Sequence, residues 1–336
     1  MKLFLKVLAG IAGLIIVLVA GLAIALLATA VTPDHPVGFQ QFVVADPGHK
    51  PVAVTVWYPT DTPPGRALVG TMVVRLATDA PVKGAGLPLV VMSHGTGGAA
   101  QSHIDTALAL ASAGFVVAAP THTGDNFRDG AIVGTSAWFV DRARQISLVT
   151  DFMTDRWAGH AQIDPARVGV FGFSAGATTA LIAAGGTPDI ARFAADCAAP
   201  PEFVCKLGAP GAALVNPPAW PRTPRIAAAV IAAPGLGFSF APAGLVDAKI
   251  PVQLWQGAAD DRVPYATNAG VIRQLLPQPP EFHSVPGAVH LSFLTPCGLI
   301  GPPPLCSDPA GFDRKAFHRD FNAQIVAFFE ANLPKR

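Results

Sequence analysis

Apolar positions along the chain follow three patterns. Val52, Val54 and Val56 alternate with smaller or polar residues and Pro59 closes the run, which predicts a half-buried strand over 51–58 beside another over 39–45. Leu87 to Met92 is instead a continuous apolar run, as expected of a strand buried on both faces. Similar runs predict strands at 114–119, 225–233 and 250–255, and 281–285 reads as the next strand. Helical spacing marks the third pattern. Phe139, Ala143, Ile146, Val149, Phe152 and Met153 predict a helix over 135–155, and Phe317, Phe321, Ile325, Phe328 and Phe329 another over 313–332. Shorter helices are predicted at 101–113, 177–184 and 266–276. Strand and helix alternate from residue 87 onward, so the expected fold is α/β: a mostly parallel central sheet with helices on both faces and an antiparallel opening. Residues 60–86 read as turns. The Pro-rich segment 186–224 falls outside the alternation, where a cap over a site could be inserted; a surface loop is the alternative.

The first 31 residues differ from all the rest. Lys2 and Lys6 precede 25 residues, Val7 to Val31, without a charge. About 20 apolar residues span a bilayer, while Ala28-Thr29-Ala30 resembles a signal cleavage site. A cleaved signal and an uncleaved anchor fit equally, and a buried core helix fits less well. Both leading readings leave the lysines in the cytoplasm and place residues 32–336, one large domain, outside it: exported, then periplasmic, membrane-anchored or secreted. No cysteine lies near the segment, which excludes a lipoprotein anchor.

Composition narrows the partners. Charged residues make up 13% of the 336, with a formal net charge of +1, so nothing suggests a nucleic-acid or strongly acidic partner. The four cysteines fall as local pairs, eight and nine residues apart. In an oxidising compartment these predict Cys197–Cys205 and Cys297–Cys306 as loop staples. A zinc site would need closer spacing and accompanying histidines.

Candidate chemistry centres on Gly172-Phe173-Ser174-Ala175-Gly176. It joins a strand-like run to a helix rich in small residues, the setting of a nucleophile elbow. Such a turn admits only small residues two positions either side of the serine. It sets the hydroxyl at a helix N-terminus, where backbone N–H groups can stabilise an oxyanion. A serine needs a base, and the base an orienting carboxylate, in the chain order Ser, acid, His. His283 falls in a strand and His318 on a helix, whereas His290 follows the last strand, where ligand-facing groups collect. For the acid, the loop 256–264 offers Asp260 and Asp261. Asp260 is favoured, with Asp261 a solvated neighbour paired to Arg262. The oxyanion donors are expected to be the N–H groups of Ala175 and Thr96, the latter in His94-Gly95-Thr96-Gly97-Gly98. His94 is expected to stabilise that loop, and His122 either to line the pocket or to be a satisfied loop histidine. No metal or cofactor is called for.

These residues carry a resemblance. Val56-Trp57-Tyr58-Pro59, Met92 to Gly98, Gly172 to Gly176, Gly257 to Pro264 and Gly287-Ala288-Val289-His290 resemble the α/β-hydrolases, in particular the bacterial platelet-activating-factor acetylhydrolase and predicted dienelactone hydrolase group. The resemblance implies Ser174, Asp260 and His290 as a triad and Thr96 and Ala175 at the oxyanion hole. Its G-x-x-D-x-x-V-P pattern also supports Asp260 over Asp261. Dienelactone hydrolases use a cysteine nucleophile; Ser174 stands there instead and implies serine esterase chemistry on a small-molecule or lipid ester, including short-chain and phospholipid acyl esters. A peptidase or acyltransferase with the same triad, or a non-catalytic envelope protein on this scaffold, are the alternatives.

Overall fold

The computed structural model describes residues 1–198, 202–207, 214–299 and 301–333. Its centre is a ten-stranded sheet. The strands are β1 (Val37–Val44), β2 (Val52–Pro59), β3 (Gly65–Val69), β4 (Met72–Thr78), β5 (Leu87–Ser93), β6 (Val116–Thr121), β7 (Ile163–Phe173), β8 (Ile226–Ala232), β9 (Val252–Gly257) and β10 (Glu281–Val285). In space they run β10-β9-β8-β7-β5-β6-β2-β1-β4-β3. From β6 through β5 and β7 to β10 every pairing is parallel, while β2 is antiparallel to both β1 and β6. This is the expected parallel sheet with an antiparallel opening.

The helices are α1 (Lys2–Ala28), α2 (Ile104–Ser112), α3 (Ser136–Asp155), α4 (Ala175–Ala183), α5 (Ile190–Ala198), α6 (Ala269–Leu275), the single turn α7 (Pro303–Cys306) and α8 (Arg314–Asn332). The continuous apolar strands are buried on both faces, and two cores result. One packs α2 and α8 against one face through Leu110, Phe171, Phe321 and Phe329. The other packs α3, α4 and α6 against the opposite face through Val91, Ile146, Val170 and Leu181.

Two departures from the sequence reading stand out. Residues 60–86 hold a hairpin, β3 and β4, whose register Val69↔Met72 leaves Gly70-Thr71 as a two-residue turn. Gly70 has φ +61°, open to glycine without strain. β3 is a short strand at the sheet edge with a single partner, and Leu68 on it is exposed, so its own sequence carries no clean alternation. The elbow strand β7 begins at Ile163 and so includes Asp164-Pro165, which the sequence reads as a turn leading into it, with an irregularity opposite Leu87–Leu89. Both expected disulfides, Cys197–Cys205 and Cys297–Cys306, are formed.

Candidate active site

Ser174 sits between β7 and α4 with φ 56° and ψ −122°, a left-handed turn that a non-glycine residue adopts only under constraint. Its neighbours supply the constraint. The Ser174 N–H donates to Ala232 O (3.0 Å) and its carbonyl accepts from Gly235 N–H (3.1 Å), which ties the elbow to β8. A Cβ on Gly172 would lie 2.2 Å from Gly176 O, and one on Gly176 would lie 2.1 Å from Ser93 O. The two glycines are therefore steric requirements of the turn.

The expected partners converge on this serine. His290 Nε2 lies 2.9 Å from Ser174 Oγ, and His290 Nδ1 lies 2.8 Å from Asp260 Oδ2. The other carboxylate oxygen of Asp260 accepts from the backbone N–H groups of Arg262 (3.0 Å) and Val263 (3.1 Å), which fixes its direction. Asp260 and His290 are buried, whereas Ser174 is half-buried at the floor of a cleft. Phe173 packs against the imidazole, ring centroids 4.9 Å apart. His283 and His318 lie elsewhere, paired to Glu281 (2.7 Å) and Asp105 (2.6 Å). Asp261 is exposed, but the expected pairing to Arg262 does not occur among the described residues. The Arg262 guanidinium instead lies over the Phe203 ring, 4.8 Å from its centroid. Stacking lets the cation bury its flat face while its edge stays wet.

Thr96 lines the same cleft, and Ala175 N–H is the first of α4. Neither backbone N–H is engaged by another hydrogen bond among the described residues, so both stay available to a ligand oxygen. The cleft, about 340 Å³, is walled by Phe203, Leu207, Val263, Leu291, Leu294 and Leu305. Phe203 and Leu207 come from the 186–224 insertion. Within that segment the Cys197–Cys205 bond ties α5 to the turn that carries Phe203, and Phe193 and Val204 pack with Phe139, Ile182 and Phe238.

Beneath the 94–98 loop lies a network that the sequence reading missed. Asp125 and Arg142 form a fully buried ion pair. Asp125 also accepts from Trp138 Nε1 (2.6 Å) and from Gly97 N–H (2.8 Å), while Arg142 donates to the His94 carbonyl and to Thr179 Oγ1 (3.0 Å). One pair thus clamps the loop at both His94 and Gly97. The signal was present: Arg142 occupies the apolar face of α3, between Phe139 and Ile146, where a lone charge demands a buried partner. His94 is the expected loop stabiliser, with Nδ1 at 2.7 Å from Gly95 O and Nε2 accepting from His122 N–H (3.0 Å). His122 is the satisfied loop histidine, bonded to Ser93 Oγ (2.9 Å) and Gln145 Oε1 (2.8 Å). Burial, reinforced by the Arg142 cation, pushes His94 down to about 4 and His122 well below its ordinary value. Both are neutral at neutral pH and are fixed pieces of structure. Among the described residues no group of three or more His, Cys, Asp or Glu is arranged to hold a metal ion.

Residues 74–196 match the dienelactone hydrolase family. No curated protein sequence matches the chain. A solved ferulic acid esterase from Streptomyces cinnamoneus is similar in fold, with a TM-score of 0.61 and 20% identity over 90% of this chain and 93% of that one. Sheet order, family match and structural likeness together give the chain the α/β-hydrolase fold. It is an enzyme of the carboxylic-ester hydrolase class.

Proposed function

We propose that the chain is an exported serine hydrolase that cleaves carboxylic esters through an acyl-enzyme. The observation that carries this is the hydrogen-bonded chain Ser174 Oγ–His290 Nε2–Asp260 Oδ2 at the elbow. The Ser174 hydroxyl attacks the ester carbonyl while His290 Nε2 takes its proton, and Asp260 holds Nδ1–H and stabilises the imidazolium. The Ala175 and Thr96 N–H groups receive the oxyanion, a contribution of about 3–4 kcal/mol per donor in comparable sites. His290 then protonates the leaving alcohol, and water repeats the steps to free the acid. This chemistry needs no metal or cofactor. The apolar wall of the cleft supports an apolar acyl or alcohol group as its occupant. The apolar α1 and the two disulfides support export, and the 186–224 segment serves as a cap.

The test is Ser174→Ala assayed on short aryl esters, with a fluorophosphonate probe for labelling. The variant is expected to lose at least about 10⁴-fold in kcat and to escape the probe. Full retention of activity would overturn the reading. Amide substrates run beside the esters separate it from a peptidase.

A further inference from the structure

Helix α1 is 27 residues long, about 40 Å at helical rise, and no part of its apolar window is buried in the fold. It therefore exceeds the roughly 30 Å hydrocarbon core of a bilayer. Its junction with the domain is short. Only Thr29 and Ala30 separate Ala28 from Val31, whose N–H donates to Val73 O (2.9 Å) and whose carbonyl accepts from Arg75 N–H (2.8 Å) on β4. Three extended Cα steps reach about 11 Å. A chain that retains α1 in a bilayer therefore holds the domain against the lipid surface at the face beside Val31.

That face is apolar and leads to Ser174. A cleft lined by Thr29, Val31, Met72 and Leu299 opens at the helix end. It shares Met72 and Pro296 with a second cleft, which Phe127 and Leu305 line, and the second shares Leu294 and Leu305 with the cleft of Ser174. Along this track Phe127 is 63% exposed, Leu299 54% and Leu305 42%, large apolar side chains left facing water unless something covers them. Lys315 and Arg319 stand exposed at its edge, beside the helix end, where anionic headgroups would lie. The disulfide Cys297–Cys306 braces the loop that carries Leu299 and Leu305.

We infer that the surface from Val31 through Leu299 and Phe127 to the mouth of the Ser174 cleft docks on the lipid bilayer that holds α1, and that ester substrates pass from the bilayer into the site along it. The substrate half of this inference rests on the hydrolase reading; the docking half does not.

Two measurements on the full chain in phosphatidylcholine–phosphatidylglycerol vesicles test it. An environment-sensitive fluorophore on Phe127→Cys is expected to shift to the blue and to be quenched by brominated lipid. The same fluorophore on Ala166→Cys, at the opposite end of β7 from Ser174, is expected to respond to neither. Equal quenching at both positions, or a solvent-like probe at 127, overturns the docking surface. A shift at 127 that follows protein density instead of lipid would mean a second copy covers the face, which also overturns it. The double variant Phe127→Asp/Leu299→Asp is expected to keep its rate on a water-soluble acetate ester and to lose at least tenfold on an ester dissolved in the vesicles. An unchanged ratio of the two rates overturns the substrate path. Failure of the wild type on both esters and on the fluorophosphonate probe would reject the hydrolase reading, while the quenching result would still decide the docking surface.

Discussion

Consider the replacement of Asp125 by asparagine, which keeps the shape of the side chain and removes its charge. Arg142 beneath the 94–98 loop is then left as a buried cation with no counter-ion, in a site where both groups are essentially inaccessible to water. Breaking one side of such a pair costs about 3–5 kcal/mol, a fifth or more of the roughly 5–15 kcal/mol that holds a domain together. The catalytic consequence follows from the same bonds. Gly97 N–H and the His94 carbonyl both depend on the pair, and Thr96 lies between them. A shift of this donor by about 1 Å is expected to lower kcat by about 10²-fold with little change in KM. Urea unfolding in detergent micelles and steady-state kinetics on an aryl ester measure the two effects. The double variant Asp125→Leu/Arg142→Met leaves no charge stranded and is expected to be destabilised by less than the sum of the single losses. Strictly additive losses, or an Asp125→Asn enzyme with wild-type midpoint and kcat, would refute this account of the loop.

Two further predictions concern other parts of the fold. Gly176→Ala drives a methyl group to within 2.1 Å of Ser93 O and is expected to abolish soluble expression or activity, read by yield and probe labelling. Stability should also fall as pH drops from about 6.5 toward 4. In the folded protein His94 sits at about 4, His103 at about 3 and His122 well below 6.5, all chiefly through burial, so the unfolded chain binds more protons across that window. Each histidine contributes a loss approaching about 1.4 kcal/mol per pH unit. His103→Leu, placed between Phe171 and Phe173, is expected to flatten the slope by one proton in urea melts at pH 7, 6 and 5.

Much of the site was legible because its chemistry is written in local signals. Gly172 and Gly176 flank Ser174 for steric reasons that hold in any such turn, and chain order left His290 as the one histidine in a loop after a strand. The buried strands declared themselves by unbroken apolar runs such as Leu89-Val90-Val91-Met92. The hairpin at 65–78 did not, because an edge strand half in solvent carries no obligatory alternation. The Asp125–Arg142 pair was hidden for another reason: its members are 17 residues apart, and only the packing of α3 beneath β5 and β6 brings them together. Arg262 misled because sequence adjacency to Asp261 says nothing about the aromatic ring that a distant segment supplies.

The backbone at Ser174 has a consequence for how such a protein drifts. A residue with a side chain held at φ 56° and ψ −122° costs the fold about 1–3 kcal/mol, and glycine would carry no such burden. The nucleophile is therefore the position at which robustness and chemistry pull in opposite directions. A library of variants sorted for heat resistance alone would discard its serine early and collect a sturdier, inert protein. Persistence of Ser174 in a lineage would then be a record of use.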